Sequence, residues 1–468
     1  MNLSNEMRDK VDIIVRGGFI ITEDPSDRVI EDGAVAIAQK RIVAVDKSHR
    51  ILARFQAEET IEIRHSVIMP GFVNAHMHET LIRGFWDIFG GKDLYDLLQM
   101  AYFMELCVSE KHVLAAAKLN QLEMIKNGTT CFLDIWRHPI MAAKTLQSSG
   151  LRAVLAPQIA DVTPWKPIHN RQYWMESVED AEIFVREWNG LAEGRINAWF
   201  GPHAPYSCSD ETLAKVRDLA SKHNVGIHIH LSEGLNEVED IKKKKGLTPV
   251  RWLEKIGFLG SDVHAAHCVW LDDEEIGLLK QRGVSVAHLP RSNMKSGMGV
   301  APLMKLLEEG VTVGLGTDSN MGPGNLDMFE EMRAACYLHR LIKHDSRLLP
   351  ASKLLELATI GSAKCLRLDR IIGSIEIGKK ADIIILELNK PHLTPLPKDP
   401  NNIKEIVVFS ARAEDISTTI VDGEVLMKNR KILTLNEEQT ILEAREAADD
   451  LMESTLQAFK SKSVEKNF

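Results

Sequence analysis

The stretch Pro70-Gly71-Phe72-Val73-Asn74-Ala75-His76-Met77-His78 carries the first chemistry legible in the chain. Two imidazoles stand two positions apart, just after the apolar run Val67-Ile68-Met69. In an extended strand, residues i and i+2 face the same side, so His76 and His78 can aim at one point and grip one metal ion. The same pair also fits two ordinary loop or core histidines. What decides between these readings is whether later residues can reach that point.

Those residues must be brought there by strands. From about residue 66, short apolar runs alternate with helical periodicity. The runs are Val67–Met69, then residues 129–134, 152–156, 195–200, 225–230, 262–267, 284–288 and 311–316. The helix expected over Glu110 to Asn127 is typical: Val113, Ala116 and Ala117 share a face, and Gly128 follows as a stop. Strand–helix alternation implies a parallel sheet, and eight units over residues 66–365 predict an α/β fold, a (β/α)8 TIM-type barrel. The rival, a doubly wound open sheet, would call for a G-x-G-x-x-G loop after an early strand, and none is present.

Barrel active sites lie at the C-terminal ends of the strands. Strand one leads to His76 and His78 and strand four to His203; strand five ends in His228 and His230, with Glu233 just after, strand six in His267 and strand eight in Asp318. This succession turns the histidine pair into a metal site. His76, His78, one strand-five imidazole and Asp318 make a nitrogen–oxygen donor set that suits zinc or iron and leaves a position for water. The metal lowers the pKa of that water. Asp318 can accept the water's proton, and Glu233 can pass one to a substrate.

The chain ends read differently. Val11–Val15, Gly33–Ile37 and Arg41–Val45 are short strands, as are parts of Gly373–Leu386 and Thr418–Leu426. Residues 1–65 and 366–436 are expected to combine in a small composite β-sandwich. Residues 437–468 are expected to form a C-terminal helix, packed outside over 437–460, and a mobile tail from Lys460.

At 468 residues, 44% hydrophobic and 26% charged, the composition is that of a soluble globular protein. A net charge of -9 argues against nucleic acid as a partner. The six cysteines are scattered without a Cys-x-x-Cys pair, which disfavours disulfides and thiolate zinc and fits a reducing compartment. Asp9, Lys10 and Asp12 interrupt any leader-like apolar run, and no stretch of about twenty apolar residues could span a bilayer. The expectation is a cytoplasmic protein that binds a small molecule and no membrane.

Taken together, Pro70–His78, Gly201–Tyr206, His228–Glu233, His264–Cys268, Ser292-Asn293 and Gly316-Thr317-Asp318 resemble the amidohydrolase superfamily, in its cytosine-deaminase-like and chlorohydrolase-like branch. The resemblance covers nearly the whole chain. It implies one divalent metal, zinc before iron, held by His76, His78, His230 and Asp318. The His-x-x-Glu spacing selects His230 over His228, and Glu233 matches the proton shuttle. His267 matches the histidine that polarises the substrate. No lysine ends strand four to bridge a second metal, so a mononuclear site is expected. Relatives are often homo-oligomers.

The resemblance further implies a hydrolase that removes the exocyclic amine of an N-heteroaromatic, an adenosine derivative of the methylthioadenosine/S-adenosylhomocysteine type, releasing ammonia. His203, Glu105, Glu233, Trp86, Ser319 and Asn320 are the expected substrate contacts, with Glu105 on ribose hydroxyls and Trp86 stacked on a flat ring. Two departures stand out. Ala156-Pro157-Gln158-Ile159 lacks the arginine expected for an amino-acid carboxylate, and Ser319–Asn325 differs from the usual run after the aspartate. Arg171, in the Trp-rich segment 165–174, is a candidate replacement in a lid-like loop. The alternatives are a triazine chlorohydrolase or aminohydrolase, a guanine or pterin deaminase and, more remotely, a non-catalytic scaffold. A scaffold would be expected to have lost metal ligands, and this chain retains them.

Overall fold

The computed structural model describes residues 8–91, 93–163 and 175–465, and its strands fall into three sheets. The largest unites the two ends of the chain. It contains β1 (Asp9–Ile21), β2 (Val29–Ala38), β3 (Arg41–Lys47) and β4 (Phe55–Pro70). It also contains β14 (Ile383–Glu387), β15 (Ile416–Val421), β16 (Glu424–Lys428) and β17 (Lys431–Ile432), in the order β17-β16-β15-β14-β4-β1-β2-β3.

The terminal strands therefore meet as expected, joined in one continuous sheet. The reason is the length of β4. Its 16 residues are enough to pair in parallel with β1 from Phe55 to Ile68 and antiparallel with β14 from Ser66 to Pro70. Both chain ends share that strand. Ile13, Val15, Val35, Ile68, Ile383 and Ile420 pack on one face, and Val11, Ile14, Ala36, Ile51 and Phe55 on the other.

One strand boundary differs from the expectation. Val67–Met69 lies in β4, and the first strand of the parallel set is β5 (Phe72–Met77). The apolar run continues through the boundary, so periodicity cannot divide it. Gly71 makes the break: its N–H donates to Asp382 O at 3.0 Å, and a Cβ there would lie 2.1 Å from Thr130 Cγ2. Only glycine permits that approach.

The parallel strands form two arcs. One holds β5, β6 (Thr129–Trp136), β7 (Arg152–Ile159) and β8 (Ile196–Ala198), with β9 (Gly201–Pro202) pairing β7. The other holds β10 (Ile227–Leu231), β11 (Val263–His267), β12 (Ser285–His288) and β13 (Val313–Leu315). Every pairing within them is parallel, and helices connect successive strands. The expected fourth strand is split, with Trp199-Phe200 between β8 and β9. Backbone bonds cross between the arcs on both sides: His228 N to Phe200 O at 2.8 Å, and Asp318 N to His76 O at 3.0 Å.

At the opposite end of β7 from the site, the buried Arg152 guanidinium donates to both Asp382 oxygens at 2.8 and 3.1 Å, tying the parallel strands to the terminal sheet. Removing one member would strand a buried charge, at a cost of about 3–5 kcal/mol. The helix Glu437–Glu465 packs outside on Glu110–Lys126 and runs past the expected end at 460; residues 466–468 lie outside the described residues. Segment 164–174, which includes the lid expectation and Arg171, lies outside them too. No helix among the described residues is long and apolar enough to cross a membrane, and all six cysteines are unpaired.

Candidate active site

Four side chains from three strand ends converge on one point. His78 Nε2 lies 3.3 Å from His230 Nε2 and 3.4 Å from Asp318 Oδ1, and His76 Nε2 lies 3.6 Å from the same oxygen. Ligand atoms of His76, His78 and His230 all lie within 4.8 Å of one another, as do those of His76, His267 and Asp318. All five residues are buried.

The hydrogen bonds decide which nitrogen of each ring faces the centre. His78 Nδ1 meets Ile135 O at 2.5 Å and His230 Nδ1 meets His203 O at 2.7 Å. A carbonyl only accepts, so both Nδ1 atoms carry the proton and both Nε2 atoms present lone pairs. His76 reaches the same state through a relay. His228 Nδ1 donates to His264 O at 3.0 Å, which leaves His228 Nε2 as an acceptor for His76 Nδ1–H at 2.7 Å. His76 Nε2 is then a buried lone pair with no protein partner.

Burial holds all three imidazoles below their ordinary pKa, His76 at about 3, so they are neutral. Burial opposes ionisation of Asp318, yet the neighbouring His76, His78 and His267 hold its carboxyl well below the usual range. Ser292 Oγ donates to its Oδ2 and Ser319 N to its Oδ1, at 2.6 Å in the second case. Three lone pairs and a carboxylate directed at one point repel one another until a cation sits among them. The donor set is the one zinc prefers, and the residues fit a divalent ion.

Beside this centre, burial and the Asp318 charge push the Glu233 carboxyl well above its usual range, which favours its protonated form. His267 Nδ1 donates to Asn293 Oδ1 at 2.9 Å, which turns Nε2 toward Glu233 Oε2 at 3.6 Å. Ser232, His267 and Asp318 have φ of 51°, 73° and 59°. Their left-handed backbones bend the strand ends over the site, a strain kept only where surrounding bonds enforce it. Glu237 supplies such bonds, accepting from Ser232 N at 3.0 Å and Glu233 N at 2.8 Å.

The site opens into a cavity. Leu94, Leu97, Leu98, Ala101, Met298 and Met321 make its apolar walls, and Trp86 and Trp136 line it as well. His203, Glu105, Glu233, Trp86 and Ser319, expected from the sequence as substrate contacts, all line it. Asn320 does not. Its Nδ2 donates to Thr80 O at 3.1 Å and Asn120 Oδ1 at 2.7 Å, and its Oδ1 accepts from Thr80 Oγ1 at 2.6 Å. It buttresses the loop after β5, where the sequence led us to expect a substrate contact.

Glu237 and the orienting role of Asn293 were not read from the sequence, although Glu237 sits one helical turn beyond Glu233. Nor was the role of His228, which looked like a decoy for the third imidazole. It orients His76, and such partners typically contribute about 10–100-fold in metal affinity. His228→Phe is expected to weaken metal binding by about that factor without unfolding the chain, as measured by competition with a chromogenic chelator.

The amidohydrolase family model matches residues 67–426. The chain is 40% identical over 450 residues to the 5'-deoxyadenosine deaminase of Methanosarcina acetivorans, covering 94% of this chain and 98% of that protein. It is 37% identical over 444 residues to the 5-methylthioadenosine/S-adenosylhomocysteine deaminase of Desulforamulus reducens, covering 93% and 98%. Among solved structures, an adenosine deaminase from Xanthomonas campestris with bound zinc superposes with a TM-score of 0.86 at 28% identity, covering 95% of this chain and 99% of that one. A triazine hydrolase variant shares the fold, with a TM-score of 0.85 at 23% identity and coverage of 93% and 99%.

Proposed function

Because the chain belongs to the amidohydrolase family, we propose that it is a metal-dependent deaminase of an adenosine derivative, converting the ring C–NH2 to C=O with water and releasing ammonia. The observation that carries this reading is the convergence of three imidazole lone pairs and the Asp318 carboxyl beside Glu233, whose carboxyl burial pushes upward. His76, His78, His230 and Asp318 would hold one divalent ion, zinc in our reading, in a (β/α)8 barrel formed by the two arcs over residues 66–365. The deaminase names of the relatives at 37–40% identity and the six unpaired cysteines support an adenosine-type substrate and a cytoplasmic location.

When bound, the ion supplies Lewis acidity that brings the pKa of a water toward neutrality. The protein groups do the rest. Glu233 gives its proton to the ring nitrogen beside the amine-bearing carbon as water adds there, and Asp318 takes up a proton from that water. His267, whose Nδ1–H is held by Asn293 Oδ1, presents the lone pair of Nε2 and orients the adding water by accepting its hydrogen. The proton on Asp318 then goes to the amine, which leaves as ammonia while the proton of the new hydroxyl passes to Glu233 and the carbonyl forms.

The test is ammonia release, or chloride release for the triazine, with the accompanying absorbance change, using metal-loaded protein and a panel of 5'-deoxyadenosine, methylthioadenosine, S-adenosylhomocysteine, guanine and a chlorinated triazine. Turnover confined to the last two would overturn the adenosine reading.

Glu105 adds a pH dependence. Burial pushes its carboxyl up to about 7, against the pull of Arg137, whose Nη1 lies 3.6 Å from Oε2. The ionised form accepts a hydrogen bond from a ribose hydroxyl more strongly than the acid does. KM for a ribosyl substrate is therefore expected to fall by about tenfold from pH 6 to pH 8. That trend should vanish in Glu105→Gln, as read from steady-state kinetics at each pH.

A further inference from the structure

Gln158 lies near the C-terminal end of β7 and lines the same cavity, 2% exposed. Its backbone is fixed: Gln158 O accepts from Glu176 N at 2.9 Å, and the residue pairs with Gly201 of β9. Its side chain is not used in the same way. The amide oxygen Oε1 is buried and has no hydrogen-bond partner among the described residues. Buried polar atoms are nearly always satisfied, so an orphaned acceptor on a cavity wall is one that a ligand completes.

The other polar groups on that wall have assigned work. His78, His230 and Asp318 face the metal position, Glu233 and His267 face the reacting ring, and Glu105 is the second side chain with an orphaned acceptor, Oε2. No lysine or arginine lines the cavity among the described residues, whereas three carboxylates do. A ligand group at Gln158 must therefore donate a hydrogen, and the described wall offers no cation to a carboxylate or phosphate.

We propose that Gln158 is a specificity-determining residue that accepts a hydrogen bond from an uncharged hydroxyl on the sugar of the substrate. This rests on the nucleoside reading above and deepens it. Glu105 and Gln158 then supply two acceptors for the two hydroxyls of a ribose, and the cavity selects ribosyl over deoxyribosyl substrates. An amide accepts as well as a carboxylate at this geometry but carries no charge, so its contribution does not vary between pH 6 and 8, unlike that of Glu105.

The test is a cycle of steady-state kinetics. Gln158→Met removes the acceptor at nearly constant volume, and Gln158→Glu restores an acceptor. Each is assayed beside the parent on 5'-deoxyadenosine and on its 2'-deoxy and 3'-deoxy analogues, with metal content and Tm measured in parallel. Gln158→Met is expected to raise KM by about tenfold on the ribosyl substrate with kcat, metal content and Tm little changed. The gap between variant and parent should close on one of the two deoxy analogues, and Gln158→Glu should recover part of the loss. An equal loss on all three substrates, or no loss on any, overturns the proposal while leaving the deaminase reading intact. No ammonia from any of the three with metal-loaded parent protein overturns that reading, and the proposal with it.

Discussion

Glu233→Gln is expected to keep the metal content of the parent and to lose ammonia release by about three orders of magnitude. Glu233 is buried beside Asp318, and both burial and that charge favour its protonated form. The amide has nearly the same shape and leaves the Glu237 bonds to the backbone of Ser232 and Glu233 undisturbed. It cannot, however, give up a proton to a ring nitrogen. The loss should fall on kcat, because the step that fails is proton delivery in the transition state and not substrate binding. Measured metal content separates this result from damage to the centre. Turnover near that of the parent would remove Glu233 from the mechanism.

The second large effect is expected at the metal position. His230→Ala should lose both the ion and the activity, leaving turnover at background even with zinc added at concentrations that saturate the parent. His230 closes the gap between the two arcs at the site: its backbone N–H donates to His203 O at 2.9 Å, and its Nδ1–H donates to the same carbonyl at 2.7 Å. Removing the ring leaves His76, His78 and Asp318 as the remaining donors and opens that side to water. Metal analysis after dialysis, with ammonia release before and after adding zinc back, checks it. The apo protein of the parent should also melt at a lower temperature than the zinc form, since an ion bound to the folded state alone stabilises it by mass action.

Much of the site was legible because its residues are polar and stand where apolar strands end. His76, His78, His230, His267 and Asp318 were readable for that reason, and the structure brings them together. What could not be read were groups whose role depends on a partner distant in sequence. His228 looked surplus because its bond to His76 spans 152 positions. Asn320 looked like a contact because it follows Asp318 closely, but its amide is spent on Thr80 and Asn120. The union of the two chain ends was legible because both carry short alternating strands, and the long shared strand β4 joins them. Val67–Met69 was assigned to the wrong sheet because hydrophobicity runs unbroken to Gly71, where backbone geometry and not polarity changes the direction.

The pairing of β4 with β14 also sets a timetable for biosynthesis. On the ribosome, β1 to β4 emerge long before residues 383–387, which form their central neighbour. Ala444, Ala447 and Leu451, which pack with Ala101 and Met321 behind the cavity wall, emerge later still. During that interval one edge of β4 stays unpaired, open to improper strand addition from other nascent chains. Such long-range pairing slows folding. High-level expression should therefore favour inclusion bodies, and slower translation at low temperature should favour recovery of the native enzyme.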